Sequence, residues 1–435
     1  MINIVKGYLT YNNIDYIFSW EGQELHLLLK DKINDVEELS TIRRKEIKIT
    51  PKEIYNKWIM GVGYTTLCKY FFHCIGYHWC SENLQILYVD YFAEMVTNDD
   101  IWDFTKIKAD GLRLSSDIIG AYIKDTIKIE KEDNNELVVS FPTSVAEKSN
   151  EQNKRIKLFY DFNMNPKYYD IKCLKSFLEY ENNDSNIEQL FQDYKNIKEL
   201  FSFLARRRSI SIPEFTIIKK NPTEYAEYCE VCQIKSTSKL DNVTTNSISN
   251  QLFSKYAMSL FELVQTKTID CYHLPTSDKF EPAQIIMLYS WFEKLYKAIP
   301  FNNQFVLKRK KGHKKLYWKE KAINGRDRAV TEKQQLDTVI TDHPFLKDIS
   351  FEILLTYGGF SESTRFIQEW TKRVVDFRND IVHNKNILKY DFIIQDKVFL
   401  EVVIYYLIFK YLCKCSDKEL NDLLKDLFIN PNFIL

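Results

Sequence analysis

The side chains best suited to catalysis lie in a short stretch near the C-terminus, where Arg378 is followed by Asn379 and then by His383. An imidazole exchanges protons near neutral pH, so His383 can act as a general acid or a general base. The guanidinium of Arg378 stays charged and binds phosphate oxygens through two parallel hydrogen bonds. A proton carrier beside a fixed cation favours cleavage of a phosphodiester, with Arg378 stabilising the charge that builds up on the phosphate.

The spacing of these residues limits what one copy of the chain can do. On an ideal helix Asn379 and His383 share a face, whereas Arg378 and His383 stand about 140° apart around the axis. Two copies related by a twofold axis would let four side chains converge on one phosphate, so we expect a homodimeric site. Asn379 would orient His383 or bind a phosphate oxygen. Asp376 or Asp380 would position Arg378.

A helix is expected over residues 361–384, because its apolar residues recur every three or four positions. These residues are Phe366, Trp370, Val374, Phe377 and Ile381. If this stripe packs against neighbouring elements, the polar residues between its members are carried on a rigid support.

A basic segment lies upstream of this helix and includes aromatic side chains. Its candidate RNA-binding residues are Lys308, Arg309, Lys310, Lys311, Lys314, Lys315 and Trp318. Lysine and arginine neutralise phosphates, and an aromatic ring can stack on an unpaired base, so the composition is typical of contact with single-stranded RNA. The alternative is a solvated loop between two helices. For a second basic run, Arg206 to Arg208, we expect a helix C-terminus that complements the helix dipole.

A structural zinc site is a weaker hypothesis, carried by Cys229, Cys232, Cys271 and His273. The gap between the two pairs is long, and Cys229 and Cys232 would point to opposite faces of the strand expected there. We therefore predict no cofactor. A further group of thiols and imidazoles is expected to be core, because buried free cysteine is common among aromatic neighbours. This group is Cys68, His73, Cys74, His78 and Cys80.

The spacing of apolar residues divides the chain into a β-rich part and a helical part, which together must position these residues. Residues 1–180 alternate in short β-rich runs and predict an N-terminal β-rich, sandwich-like domain with a sensor or regulatory role. Residues 181–250 change to a helix, with Leu190, Tyr194 and Ile197 on one face, then to short extended segments at 215–218 and 228–234, and then to a polar linker. Residues 251–435 predict an all-α bundle, which makes the fold class α+β. Its expected helices cover 251–265, 282–299, 332–340, 361–384, 392–414 and 416–428, the last opened by a capping box.

The arrangement Arg378-Asn379-x-x-x-His383, near the end of an α-bundle, resembles the Arg-x4-His motif of the HEPN superfamily. The order of elements is also similar to that of the ApeA-like phage-defence proteins, which have a β-rich N-terminal half and a C-terminal HEPN domain. The helix that carries Trp291 to Leu295 is part of this order of elements. By the same resemblance, Glu293 on that helix would be a supporting residue of the Arg378–His383 site. The resemblance implies a metal-independent endoribonuclease, a homodimer formed through the HEPN-like domain, and a role in abortive infection. A phage-derived trigger or a regulatory partner would belong to such a system.

The remaining composition sets limits on partner and compartment. The 60 basic and 60 acidic residues balance, so any RNA site must be a local patch. The odd number of cysteines, nine, suits reduced thiols. With no signal peptide and no long apolar run, we expect a cytoplasmic protein with no membrane contact. The alternative function is a catalytically inactive HEPN-like module that binds RNA or protein, in which Arg378 and His383 only complete a helix end.

Overall fold

The computed structural model describes most, but not all, of the 435 residues. The described residues are 5–11, 14–29, 55–64, 68–79, 84–95, 108–115, 123–124, 128–131, 137–140, 144–147, 154–165, 170–210, 212, 214–220, 225–234, 245–246, 248–275, 281–299, 305–309, 316–320, 328–329, 336, 339, 346, 348, 352–353, 363–387, 390, 393–429 and 431–432. The chain forms two compact units, the first comprising residues 1–120, 128–198 and 211–241, and the second residues 121–127, 199–210 and 242–435.

The first unit begins with a closed β-barrel of six strands. The strands are β1 (Val5–Tyr11), β2 (Ile14–Glu21), β3 (Glu24–Leu29), β4 (Lys57–Gly63), β5 (Lys69–Trp79) and β6 (Leu84–Met95). Each pairs antiparallel with its neighbours in the order β1-β2-β3-β6-β5-β4, and β4 returns to β1. A sandwich-like arrangement was expected and is wrong for these strands, because β6 pairs with both β3 and β5 and so closes the sheet.

The interior of the barrel is filled by alternate side chains of its strands, which place aromatic rings at its centre. Phe18 is fully buried and stands against Phe72 with ring centroids 5.5 Å apart. Glycine is required opposite this ring, because a Cβ at Gly7 or Gly61 would lie 2.6 or 2.5 Å from the Phe18 ring. Of the expected core group, Cys68, His73 and Cys74 are buried, His78 is exposed, and Cys80 lies outside the described residues.

Six further strands extend the same sheet outward from β6. In spatial order they are β15 (Tyr225–Gln233), β14 (Glu214–Lys220), β7 (Lys108–Ser115), β13 (Asp170–Asn186), β12 (Lys154–Asn165) and β11 (Ser144–Glu147). A separate hairpin in this unit pairs β9 (Lys128–Lys131) with β10 (Leu137–Ser140). Because β14 and β15 are inner strands of the large sheet, the segment 181–250 expected as a connector contributes to the main sheet of the first unit.

Helix α1 (Ile187–Leu204) contributes residues to both units. The apolar face predicted for it is buried throughout, with Leu190, Tyr194 and Ile197 all fully buried. The helix ends in a Schellman motif, since Arg206 adopts φ 55° and the Arg207 N–H donates to the Ser202 carbonyl at 2.8 Å. The arginine run therefore lies at the C-terminus of α1 as predicted, but in the cap that follows Leu204 and not in the last helical turn.

The second unit is built on five helices among its described residues. They are α2 (Asn250–Gln265), α3 (Ala283–Ala298), α4 (Ser363–Val382), α5 (Ile393–Leu407) and α6 (Asp417–Phe428). A 3₁₀ turn, Cys271–His273, precedes α3, and a π-turn, Ile408–Leu412, continues α5. Of the helix expected over 332–340, the structure describes only Leu336 and Val339, which are helical and buried. In the described part of the chain no helix has both the length and the apolar character required to cross a membrane.

The second unit also contains strands, which corrects the expectation of an all-α bundle. A three-stranded antiparallel sheet consists of β18 (Phe305–Arg309), β19 (Leu316–Glu320) and β20 (Arg328–Ala329). Two shorter pairings join β8 (Ile123–Lys124) to β17 (Ile248–Ser249), and β16 (Thr245–Asn246) to β21 (Pro431–Asn432). In the basic segment, apolar and polar residues alternate too little to predict a strand. The pairing of β18 with β19 was therefore missed.

Candidate functional site

Helix α4 carries the predicted catalytic residues, and three members of its predicted apolar stripe are buried, whereas Ile381 is half-buried and the side chain of Phe366 lies outside the described residues. Trp370 and Val374 are fully buried, and Phe377 is 2% exposed. Trp370 packs edge-on against Phe399 of α5 with centroids 4.1 Å apart, and its indole N–H donates to the Asp396 carbonyl at 3.4 Å. The polar residues of α4 are thus held on a helix that is fixed by its core contacts.

His383 is placed by the C-terminal cap of α4. Its backbone N–H donates to the Asn379 carbonyl at 3.0 Å, and the next residue, Asn384, has φ 52°. The Asn384 N–H bonds to Ile381 at 3.0 Å and the Lys385 N–H to Asp380 at 2.8 Å, which completes a Schellman motif. Asparagine is one of the few residues that adopts this left-handed conformation readily. The side chain of His383 is exposed at this fixed helix end.

Arg378 lies half-buried between its own helix and α3. Its Nη1 donates to Asn379 Oδ1 at 3.0 Å, and its guanidinium carbon stands 5.2 Å from the ring centroid of Tyr289. A guanidinium over an aromatic face is attracted by the ring's negative π-surface. Glu293 is half-buried and follows Tyr289 by one helical turn, so it lies on the same side of α3. Arg378 therefore contacts the helix that also carries Glu293.

The two carboxylates expected to position Arg378 have different surroundings. Asp380 is 6% exposed, accepts a hydrogen bond from Tyr390 Oη at 2.7 Å and pairs with Lys385 at 3.2 Å. Burial, and next the hydrogen bond to Asp380, raises the pKa of Tyr390. Asp376 is exposed. The contacts of Asp380 tie the segment after α4 back to the helix, which stabilises the position of His383.

A buried ion pair joins α4 to α5. Arg373 donates to both carboxylate oxygens of Asp396, at 3.2 and 2.9 Å, and Asp396 is fully buried. Burial raises the pKa of Asp396 to about 6, against the opposing effect of the Arg373 hydrogen bonds and charge. This contact lies one helical turn or more before Arg378 and fixes the direction in which α4 presents its polar face.

The arrangement separates the catalytic candidates as helix geometry requires. Arg378 is directed to the α3 side and Asn379, while His383 is exposed at the end of the helix. A single copy therefore offers one cation and one imidazole on neighbouring but different faces of α4. Such an arrangement can act on one phosphate when a second helix supplies the complementary group.

The basic segment is a β-hairpin in its described part. Lys308 and Arg309 lie in β18, and Trp318 lies in β19, in register with Leu307. Arg309 pairs with Leu316, the last pair before the connection between the two strands. The alternative of a loop between two helices is wrong for these strands. The other predicted RNA-binding residues, Lys310, Lys311, Lys314 and Lys315, lie outside the described residues.

The zinc candidates are committed to other contacts where their side chains are described. Cys271 is buried, donates to the Glu199 carbonyl at 3.3 Å, and has a pKa raised well above its ordinary value by burial. His273 stacks on Trp291 with centroids 5.9 Å apart. Zinc requires a thiolate, which the surroundings of Cys271 disfavour. The side chain of Cys229 lies outside the described residues, so the four-residue hypothesis stays a prediction.

Cys232 belongs to a different group, with Glu214 and Glu230, whose ligand atoms lie within 4.8 Å of one another. Burial, followed by the charges of Glu230 and Glu214, raises the pKa of Cys232 to about 12. The thiol is therefore protonated at neutral pH. Glu214 and Cys232 are directly paired across β14 and β15, an arrangement that sequence analysis missed because the two residues are not close in the chain.

A second group that sequence analysis missed is the buried charge cluster around Glu401. Glu401 is fully buried and accepts hydrogen bonds from Arg206 at 2.6 and 3.2 Å, while Lys397 lies 3.2 Å from its other oxygen. Burial alone would raise the pKa of Glu401, but the charges of Lys397 and Arg206 hold it below its ordinary value. A sequence signal existed, because a glutamate stands inside a nearly unbroken apolar run.

Comparison with known proteins gives no assignment. No protein-family model, no curated protein and no solved structure matches the chain.

Proposed function

We propose that this protein is a metal-independent endoribonuclease and that Arg378, Asn379 and His383 form its active centre. The observation that carries the proposal is the placement of two side chains near the C-terminal end of α4. The buried residues of this helix hold it in place, so that the imidazole of His383 is exposed and the guanidinium of Arg378 is half-exposed. Preorganised groups of this kind reduce the cost of reaching the transition state. The resemblance of the Arg-x4-His arrangement to the HEPN superfamily supports the same activity.

The reaction follows from the chemistry of the two groups. His383 removes the proton from a ribose 2′-hydroxyl, whose oxygen attacks the neighbouring phosphorus while the bond to the 5′-oxygen breaks. An imidazolium returns a proton to that leaving oxygen, which yields a 2′,3′-cyclic phosphate and a 5′-hydroxyl end. Arg378 stabilises the negative charge on the phosphorus oxygens, and Asn379 orients His383 or binds one of those oxygens, while its hydrogen bond with Arg378 also positions the guanidinium.

The proposed active form is a homodimer through the second unit. Two copies of α4 around a twofold axis would combine Arg378 of one copy with His383 of the other on one scissile phosphate. The basic segment, including Lys308, Arg309 and Trp318, would guide single-stranded RNA to this cleft. The proposed setting is antiviral defence in the cytoplasm, with the first unit as the regulatory part that receives a trigger.

The activity is tested with purified full-length protein and labelled single-stranded RNA in the presence of a chelator. We expect cleavage by the unaltered chain, and at least about a hundredfold loss in His383→Ala and in Arg378→Ala, because general acid–base groups contribute about 10²–10⁴-fold. Equal cleavage by both variants would contradict the proposal. Inactivity of the unaltered chain on every RNA would instead favour the alternative, an inactive RNA- or protein-binding module.

Two control variants separate catalysis from folding and contamination. His78→Ala removes an exposed imidazole of the first unit, and Lys372→Ala removes an exposed cation of α4 itself. Both should keep full activity. Thermal unfolding of all four variants should stay close to that of the unaltered chain, because the substituted side chains lie at least partly in solvent.

A further inference from the structure

Tyr272 presents an exposed aromatic ring on the second unit. The residue is 56% exposed, although it stands in the short 3₁₀ turn between α2 and α3. Hydrogen bonds fix this turn, because the Tyr272 N–H donates to Asp270 Oδ1 at 3.1 Å and the Arg208 N–H donates to the Pro275 carbonyl at 2.9 Å. The ring is therefore held in solvent on a fixed backbone.

The guanidinium of Arg208 lies over one face of this ring. Its central carbon is 3.7 Å from the ring centroid of Tyr272. No salt bridge joins Arg208 to a residue that the structure describes. A guanidinium keeps its charge at neutral pH and carries five N–H donors. The pair thus combines an accessible stacking surface with a cation that can bind a phosphate oxygen or the edge of a base.

Two lysines extend the positive charge along α3. Lys294 and Lys297 are exposed and lie one helical turn apart, and neither forms a salt bridge within the described part of the chain. Lys294 Nζ donates to the Lys267 carbonyl at 3.2 Å, just before the chain enters the 3₁₀ turn. Burial, and in addition the charge of Lys294, lowers the pKa of His273 in that turn. Lys294 therefore lies close to the turn that carries the exposed ring.

The exposed side of α3 leads from this turn toward the proposed active centre. Tyr289, whose ring is contacted by Arg378, is followed one turn later by Glu293 and two turns later by Lys297. Lys294 is rotated by about 100° from Glu293 around the helix axis. We call the group Arg208, Tyr272, Lys294 and Lys297 the α3 surface.

The carboxylates near the α3 surface do not cancel its charge. Glu199 Oε2 accepts from Lys267 Nζ at 2.7 Å, so these two residues neutralise each other. Asp270 accepts the N–H of Tyr272 and lies 3.6 Å from His273. With Asp270 and the half-buried Glu293 included, the three cations still leave an excess of positive charge. Such a local excess attracts a polyanion even though the whole chain is neutral.

We infer that the α3 surface binds single-stranded RNA, with an unpaired base stacked on Tyr272 beside Arg208 and the neighbouring phosphates bound by Lys294 and Lys297. An exposed ring among cations suits a single strand, because every base has a π-face and every linkage carries a negative charge. A duplex keeps its bases inside the helix and would gain only the phosphate contacts. The inference rests on the proposed nuclease function for its substrate class and adds a contact outside the basic segment.

The test measures binding without cleavage. Full-length protein is titrated into a labelled single-stranded RNA whose sugars carry fluorine in place of the 2′-hydroxyl, so that the proposed reaction cannot cut it. We expect saturable binding that is about tenfold tighter than binding of the duplex of the same sequence. No saturable binding, or equal affinity for the duplex, would overturn the inference. A protein that binds this probe but leaves unmodified RNA intact would contradict the nuclease function alone.

Variants of the ring locate the stacking contact. Tyr272→Ala should weaken binding by about tenfold, whereas Tyr272→Phe keeps the stacking surface and should bind within about twofold of the unaltered chain. Tyr88→Ala removes an exposed tyrosine of the first unit and should leave the affinity unchanged. Unchanged binding in Tyr272→Ala, or an equal loss in Tyr88→Ala, would overturn the stacking contact.

Salt dependence tests the phosphate contacts. The logarithm of the association constant for a single strand falls with the logarithm of salt concentration, with a slope of about −0.7 for each neutralised phosphate. Lys294→Ala and Lys297→Ala should each make the slope shallower by about 0.7, whereas Tyr272→Ala should not change it. Lys418→Ala, which removes an exposed lysine of α6, is the matched control and should keep the slope. Unchanged slopes in both α3 variants would overturn the assignment and favour a partner other than RNA for this surface.

Discussion

At the scale of single residues, the second unit depends on charges that are buried in pairs. Arg206 donates to fully buried Glu401, contacts the Leu427 carbonyl at 3.2 Å, and lies over the Phe428 ring at 3.9 Å. The partner is 195 residues away in the chain, so no local pattern could have predicted it. A buried pair adds little over an apolar core, but removal of one member leaves an uncompensated charge.

We therefore expect Arg206→Ala to destabilise the protein by about 3 kcal/mol, the lower end of the usual range for a broken buried pair, because Lys397 still contacts Glu401. Denaturant unfolding of the full chain measures this loss. The matched control is Arg208→Ala, whose guanidinium lies over the exposed ring of Tyr272, and which should cost less than about 1 kcal/mol. Equal effects of the two substitutions would contradict the assigned role of Arg206.

At the scale of elements, local signals placed helices and their ends well. Helix α6 begins with the predicted capping box, in which the Glu419 N–H donates to Ser416 Oγ and the Ser416 N–H donates to Glu419 Oε2 at 3.0 Å. Glu419 also accepts from Tyr256 of α2 at 2.7 Å and from Lys255. These hydrogen bonds, from Lys255 first and then Ser416 and Tyr256, lower the pKa of Glu419 to about 2.

The lowered pKa gives a pH dependence with a definite sign. A carboxylate whose pKa falls on folding stabilises the native state above its unfolded pKa, near 4.5, and this contribution is lost as the pH falls toward 2. Glu419→Gln should thus be less stable than the unaltered chain at pH 7, and the gap should narrow between pH 5 and pH 2. Asp422→Asn, which replaces an exposed carboxylate of the same helix, should be about as stable as the unaltered chain at pH 7. Chemical unfolding at each pH provides the measurement.

Long-range pairing explains which elements were missed. The apolar faces of α1 and α4 follow from spacing alone. Leu190, Tyr194 and Ile197 of α1 are buried as predicted, and so are Trp370, Val374 and Phe377 of α4. Closure of the barrel depends on β6 meeting β3 and β5 on its two edges, and the hairpin of β18 and β19 depends on cross-strand register. Neither is encoded in the periodicity of one strand. For the candidate site, the residues of α4 were predictable, whereas the contact of Arg378 with Tyr289 was not.

At the scale of the whole molecule, the chain joins a barrel-based unit to a largely helical unit. The first unit contains the closed barrel, and the second contains α4 with the proposed active centre. Mixed α and β content with a β-rich N-terminal part was predicted from the sequence. The proposed assembly requires more than one copy, because Arg378 and His383 occupy different faces of one helix.

The oligomeric state provides a separate prediction. We expect sedimentation equilibrium to give twice the chain mass of 51.9 kDa. Mixing inactive Arg378→Ala with inactive His383→Ala chains should restore part of the RNA cleavage, because a mixed dimer retains one complete pair of groups. A monomer at concentrations at which RNA is cut would contradict the shared site.

The most direct test of the central proposal is the chemistry of the RNA ends. With a chelator present, an RNA that is cut at a mapped position should yield a 2′,3′-cyclic phosphate and a 5′-hydroxyl. The same RNA with a single 2′-deoxy nucleotide on the 5′ side of that bond should resist cleavage there, and DNA should stay intact, because the attacking hydroxyl is absent. Cleavage at the deoxy position, or products with 5′-phosphate ends, would contradict a reaction led by His383 and Arg378.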